Sequence, residues 1–316
     1  MQQGPTHYLV DMPGLRGPAS GPGLSRSEWA ADFEDREWSR VFLTDKAEWP
    51  GKRDQVKAHL DASAESILER ARDPAWWPEL EAHGGRTLPG PLDPASFKGL
   101  RGASRGQYVE TQLQADADSW ALACLGAFAG VTYVWQGGAQ GSQYHAFYPV
   151  PERLYYQDYR QLKPLAAQGG LRYISSRVAA AHYALRLARA VRARRAAGTA
   201  YDTRFSELLY FTLFQSGQQY KPMPGGRVGL GLLMELATAP DSQVDSVFKL
   251  WDYAFRRGSV KGSEDLALAM ADFIIHPTLQ TFEAYVRVLL RFTVAEGVKP
   301  EFQYSPELME VVVNHV

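Results

Sequence analysis

Residues 278–291 read TLQTFEAYVRVLLR. Leu279, Phe282, Tyr285, Val286, Leu289 and Leu290 recur three and four places apart, which gathers them on one stripe of an α-helix, while Glu283, Arg287 and Arg291 flank that stripe. The same periodicity, followed outward, predicts helices over 172–197, 203–215, 227–238, 242–257, 262–275, 278–295 and 306–315. Breakers stand between them: Gly198, Gly217, the run Pro222 to Gly226, Pro240, Gly258, Pro277, and Gly297 to Pro300. Amphipathic helices joined by short connections bury their stripes against one another, so residues 171–316 are expected to form a helical bundle.

Residues 1–170 have a different character. The first 27 are punctuated by Pro13-Gly14, Gly17-Pro18 and Gly21-Pro22-Gly23, with room for a short strand at His7 to Val10. An acidic, aromatic segment with Trp29, Phe33, Trp38, Val41 and Phe42 follows, then a helix over 53–72 striped by Val56, Leu60, Ile67 and Leu68 and ended by Pro74. Residues 73–107 are irregular, with Trp76-Trp77-Pro78 and Pro89-Gly90-Pro91. Asp116 or Asp118 caps a buried helix that closes at Gly130. Val131 to Trp135 and Gln143 to Val150 read as two strands around a Gly- and Gln-rich turn. The expected fold class is therefore mainly α: an α+β region with a small antiparallel sheet over 1–170, then the bundle.

With 45% apolar and 22% charged residues in 316, the composition is that of a globular chain rather than a disordered one. A net charge of −1 excludes a global attraction to nucleic acid or anionic membrane, so any such binding has to come from a local patch. The one cysteine, Cys124, excludes an intrachain disulfide and a Cys-based zinc site, and its apolar setting from Trp120 to Val134 marks it as a core residue. The seven histidines are dispersed without metal-ligand spacing, and neither a phosphate-binding G-x-x-x-x-G-K-[ST] loop nor a G-x-S-x-G elbow is present. No catalytic residue, metal or cofactor is expected. The N-terminus carries no basic-then-apolar leader, and the longest apolar stretch falls short of the roughly 20 residues that span a bilayer, so the chain reads as cytoplasmic with no membrane partner.

The strongest charge feature is an arginine run. Arg172, Arg177, Arg186, Arg189, Arg192, Arg194, Arg195 and Arg204 face a single acid, Asp202. Arg186 and Arg189 share a helix face, with Arg192 near it, and the intervening alanines make a helix slim enough to approach a nucleic-acid backbone. Arg177, Arg186, Arg189, Arg192 and Arg195 are the candidate phosphate contacts, against the alternative of a solvated helix face. Gln140 and Gln143, at the turn between the two strands, are candidates for reading base edges. Tyr144, Phe147, Tyr148, Tyr155, Tyr156 and Tyr159 crowd around the same strands, either to stack on bases or to pack a core. Inside the run, Arg177 and His182 enclose four residues, a spacing that resembles the signature of HEPN ribonucleases, helical proteins that act as dimers. That resemblance implies metal-independent RNA cleavage, with His182 moving a proton at the ribose 2′-hydroxyl and Arg177 stabilising charge at phosphorus. The competing reading is a His182 packed between helices.

A second resemblance rests on Trp120-Ala121-Leu122-Ala123-Cys124-Leu125-Gly126-Ala127-Phe128-Ala129, followed by strands and by Tyr148-Pro149-Val150-Pro151-Glu152. This apolar helix, the strand after it and a terminal helical bundle are similar to large subunits of type I CRISPR Cascade complexes. The resemblance implies a non-catalytic subunit of an effector complex, with guide RNA, target DNA and the other subunits as partners, that contacts DNA beside the protospacer while a separate nuclease–helicase cleaves. A helical protein–protein adaptor remains the third reading.

Overall fold

Asp116 accepts hydrogen bonds from the backbone N–H groups of Asp118 and Ser119, at 3.0 and 3.1 Å, and this cap starts the helix where the sequence places it. The computed structural model describes residues 49–71, 80–81, 85–87, 114–138, 141–154, 156–167, 173–198, 203–216, 219–296 and 306–316. They belong to two compact units, one running to Val131 and including Ser216–Pro222, the other comprising Thr132–Gln215 and Met223–Val316.

In the first unit, helix α1 (Trp49–Ala71) buries Val56, Leu60 and Ile67 as the stripe predicts. Three two-residue strands form a small sheet, with β3 (Gln114–Ala115) lying between β1 (Leu80–Glu81) and β2 (Arg86–Thr87). Helix α2 (Ala117–Gly130) packs on α1, and His59 Nε2 lies 2.7 Å from Asp118 Oδ1 across the pair. Cys124 is fully buried. Burial pushes its thiol up to about 12 against the opposing charges of Lys52 and Arg86, so it stays an inert core group at neutral pH.

The second unit holds a four-stranded antiparallel sheet in the order β4-β5-β6-β7. Strands β4 (Thr132–Gly138) and β5 (Gly141–Arg153) form the predicted hairpin, in a register that sets Thr132 opposite Phe147 and Gln136 opposite Gln143. The next strands correct the sequence reading. Residues 203–215, expected as a helix, form β6 (Arg204–Ser216), and the helix expected from 227 begins only after β7 (Gln219–Gly229). Apolar residues run almost without interruption through Leu208-Leu209-Tyr210-Phe211-Thr212-Leu213-Phe214, and such a run fits a buried strand as well as a helix. Its aromatic and β-branched content, and a ladder along β5 from Ser142↔Gln215 to Arg153↔Arg204, decide for the strand. Strands from either side of residue 170 thus share one sheet.

Helix α3 (Tyr156–Ala167) was not anticipated; it buries Tyr159 and Leu162. Helix α4 (Ser176–Ala196) starts at Ser175, whose hydroxyl accepts from Val178 N–H at 3.2 Å. It is the central element of the unit and packs against α3, β5, α5 (Gly231–Thr238), α6 (Gln243–Gly258) and α7 (Glu264–Ile275). Ala179, Ala180, Ala181, Ala184 and Ala188 are all fully buried. The alanines that suggested a slim helix facing nucleic acid instead let these neighbours approach the α4 backbone. Helix α8 (Leu279–Glu296) packs on α7, and α9 (Pro306–Val313) on α6. Of the stripe first read in 278–291, Phe282, Tyr285 and Leu289 are buried, whereas Leu279 and Leu290 point outward. Trp251, Phe273, Phe282 and Tyr285 form a chain of tilted and edge-on ring contacts through this bundle. The fold is mainly helical with a small antiparallel sheet, as expected. Among the described residues no helix is long and apolar enough to cross a membrane. The strand expected at His7 to Val10, the segment around Trp29 and Trp38, Pro74, Trp76, Trp77 and Gln140 lie outside the described residues.

Two glycines test the packing from opposite sides. A Cβ on Gly258, at the end of α6, would sit 2.6 Å from Ala267 N and collide with the Ala267 methyl, so α6 and α7 meet this closely only without a side chain there. Gly258→Ala should destabilise the protein by about 1–3 kcal/mol. Gly126 lies in α2 with nothing within 4 Å of an added Cβ, and Gly126→Ala should stabilise by roughly 0.5–1 kcal/mol through helix propensity. Urea-unfolding midpoints of the two variants should move in opposite directions.

Candidate nucleic-acid interface

Helical periodicity places His182, Arg186 and Arg189 on one face of α4. That face meets Asp252 and Arg256, one turn apart on α6. Asp252 is 4% exposed, and its carboxylate is surrounded by donors. His182 Nε2 lies 2.8 Å from Oδ1, with Arg186 Nε at 3.8 Å; Arg189 Nη1 and Arg256 Nη2 share Oδ2 at 3.0 and 2.7 Å. Burial alone would raise the acid's pKa, but the His182 hydrogen bond and the Arg189 and Arg256 charges outweigh it and hold Asp252 well below the usual carboxylate range.

His182 is 0% exposed. Burial, with the Arg186 and Arg256 charges, lowers its pKa to about 4 against the pull of Asp252. The ring is therefore neutral at pH 7. Its Nε2–H donates to Asp252, which leaves Nδ1 to accept from the Tyr173 hydroxyl at 3.1 Å. Burial raises the pKa of the Tyr173 hydroxyl, against the nearby Arg186 charge. Tyr173 is held at its backbone: its N–H donates to Gln136 Oε1 at 2.9 Å, and Gln136 Nε2 donates to its carbonyl at 3.0 Å. Gln136 Oε1 also meets His145 Nε2 at 3.3 Å, and His145 Nδ1 meets Thr212 Oγ1 at 2.9 Å. Burial lowers His145 to about 4. One polar network thus runs from β6 through β5 and β4 to α4 and α6.

The expected site residues divide by position. Arg177 pairs with Asp272 at 2.9 Å on the surface. It stands five positions before His182, about 140° around the helix, so the structure does not bring the two together. Arg186 and Arg189 are engaged with Asp252. Arg192 donates to Asp245 at 2.8 Å and to the carbonyls of Ala239 and Asp241 at 2.7 and 2.6 Å, tying α4 to the α5–α6 connection. Arg194 reaches Asp158 and Gln161, and Arg195 is exposed at the end of α4. Gln143 is half-buried on β5, between Gln136 and Phe214 on the neighbouring strands. Phe147 stacks on Tyr183 with centroids 4.4 Å apart, so this aromatic belongs to the core, as does Tyr159.

Tyr173, Gln136, Thr212, Asp252 and Arg256 are the members the sequence reading missed. One signal was present. Asp252 interrupts the buried series Phe248, Leu250, Trp251, Ala254 and Phe255, with Arg256 one turn later. Chemically the cluster combines hydrogen bonds and ion pairs with surplus positive charge: three guanidinium groups around one carboxylate and a neutral imidazole. Among the described residues no group of three or more His, Cys, Asp or Glu is placed to hold a metal ion.

No family model matches the chain. Over 120 residues it is 31% identical to an uncharacterised protein of Archaeoglobus fulgidus, a match covering 38% of this chain and 33% of that protein. The chain thus spans about a third of the length of the curated relative it matches.

The two buried histidines set a pH dependence. Folded, they stay neutral down to about pH 4; unfolded, they bind protons near 6.5. Between those values the unfolded state holds more protons, so stability is complete above pH 6.5 and falls as pH drops toward 4. The loss should reach up to about 3 kcal/mol per histidine. Denaturant titrations at several pH values should show the decline, and His182→Gln should flatten it. A wild-type profile that is flat from pH 7 to pH 5 would contradict the assigned neutral state.

Proposed function

We propose that the protein is a non-catalytic, nucleic-acid-binding subunit of a multi-protein complex, of the type I CRISPR interference kind to which its 120–152 stretch is similar. The observation that carries this reading is the cluster on α4 and α6, where Asp252 neutralises one of the three guanidinium charges around it and Arg256 stays 61% exposed. An arginine aligned by a buried acid keeps its permanent charge and planar donors while losing little further freedom on meeting a phosphate. Contacts of that type position a protein on the backbone and carry no base sequence. They suit a subunit whose partner strand is selected by guide pairing.

The state of His182 supports the non-catalytic reading over the HEPN-like one. Its ring is sealed from solvent, both nitrogens are engaged, and Arg177 lies on another side of the helix. An outward row on α8, with Leu279 at 51%, Leu290 at 55% and Val294 at 84% exposure, supports burial within an assembly. Partner identity and the DNA contact beside the protospacer are part of the proposal.

Two measurements test the reading together. Purification of the chain with the products of its neighbouring genes should yield a stable complex, and binding of labelled DNA and RNA should weaken steeply as salt rises. No RNA cleavage is expected from wild type or from His182→Ala. Robust EDTA-insensitive cleavage that disappears in His182→Ala would establish the ribonuclease instead.

A further inference from the structure

We infer that the seam between α4 and α6 is the phosphate-binding surface of this protein, and that Lys249 and Arg256 are its outer contacts. This rests on the nucleic-acid-binding reading above and assigns it to particular residues. Helical spacing puts Asp245, Lys249, Asp252 and Arg256 along one side of α6. The two acids are already engaged: Asp245 with Arg192, and Asp252 with Arg186, Arg189 and Arg256. Lys249 stands between them, exposed, with no ion-pair partner among the described residues. Five bases (Arg186, Arg189, Arg192, Lys249, Arg256) therefore face two carboxylates along the seam.

Arg256 combines two properties. Nη2 is held 2.7 Å from Asp252 Oδ2 in an ion pair, and the side chain nonetheless remains largely open to solvent. The donors not directed at Asp252 are left for an external anion, beside a contact that already holds the head group at the seam. Lys249 lies seven residues away, two helical turns or about 10.5 Å, so the pair meets separate charges rather than one small ion. A polymer of phosphodiesters, with a charge about every 3.4 Å along each strand of a duplex, supplies such a row. The arginines on the far side of α4 have a weaker claim, because Arg177 is matched one to one by Asp272.

The test compares paired substitutions in the full chain, with a labelled single-stranded oligo-dT and a mixed-sequence duplex as probes, over roughly 50–200 mM salt. Lys249→Gln with Arg256→Gln should raise the Kd for both probes by about tenfold or more. It should also reduce the slope of log K against log salt by about 1.5, since each lost phosphate contact removes about 0.7–0.9. Arg177→Gln with Arg195→Gln should change the slope by less than half of that. Arg256→Lys, which keeps the charge, should restore the slope when combined with wild-type Lys249, and this separates a lost contact from a damaged fold. If wild type binds and the Lys249/Arg256 variant keeps both affinity and slope, the seam assignment is overturned while the nucleic-acid reading stands. If wild type binds neither probe, alone or in its complex, both fall together.

Discussion

Asp252 could not lie where it does without the groups around it, and they could not lie together without Asp252. Removing a carboxylate from water costs several kcal/mol, a cost offset only when the geometry is good and the oxygens are fully engaged. Here His182 takes one oxygen and two guanidiniums take the other, with a third nearby. Conversely, Arg186, Arg189 and Arg256 brought to one place without an acid would repel one another in a poorly screened setting. The arrangement fits when one face of α4 meets one face of α6. A rotation of either helix by one residue, about 100°, would strand a buried charge. The cluster thus acts more through the uniqueness of the packing than through net stabilisation.

That constraint propagates. His182 donates to Asp252 and therefore has only Nδ1 to offer Tyr173, which fixes the tautomer and sets the Tyr173 hydroxyl as donor. Tyr173 is in turn held by both ends of the Gln136 amide, and Gln136 is opposed by His145 on the next strand. The sheet and the helices are consequently joined by polar contacts of defined direction as well as by the apolar core. The buried alanines of α4 make this possible. With a methyl at each of those positions, five neighbouring elements come close enough for side chains from β4, α4 and α6 to meet in one network.

Features that a few adjacent residues determine were legible in the sequence. The Asp116 cap, the β4–β5 hairpin around its Gly-rich turn, and helices α4 and α6 to α9 all follow from local chemistry and periodicity. Strand β6 was not legible, because a segment flanked by β5 and β7 reads as a continuous apolar run without a period to identify it. At the candidate site, Arg186 and Arg189 were correctly placed on one face. Their engagement with Asp252 was hidden, since the acid lies 70 residues beyond His182 and nothing in the spacing links the two. The significance of the alanines was reversed for the same reason. A run of small residues makes a helix narrow, and only tertiary structure says whether protein or an external backbone occupies the space.

The chain's net charge of −1 does not conflict with an anion-binding surface, because the relevant quantity is local. At about 0.1 M salt, charges more than about 10 Å apart are largely screened in solvent, so a phosphate near Arg256 responds to the seam and little to acids on remote faces. Within the seam the two acids have distinct effects. Asp245 engages Arg192, which backbone carbonyls also hold, so that pair adds no net charge and the seam's surplus comes from Lys249 and the Asp252 cluster. Asp252 draws Arg186, Arg189 and Arg256 to one point and cancels a single unit of their charge. A buried acid that concentrates more positive charge than it neutralises gives a surface a directed local field, even on a protein whose total charge is close to zero.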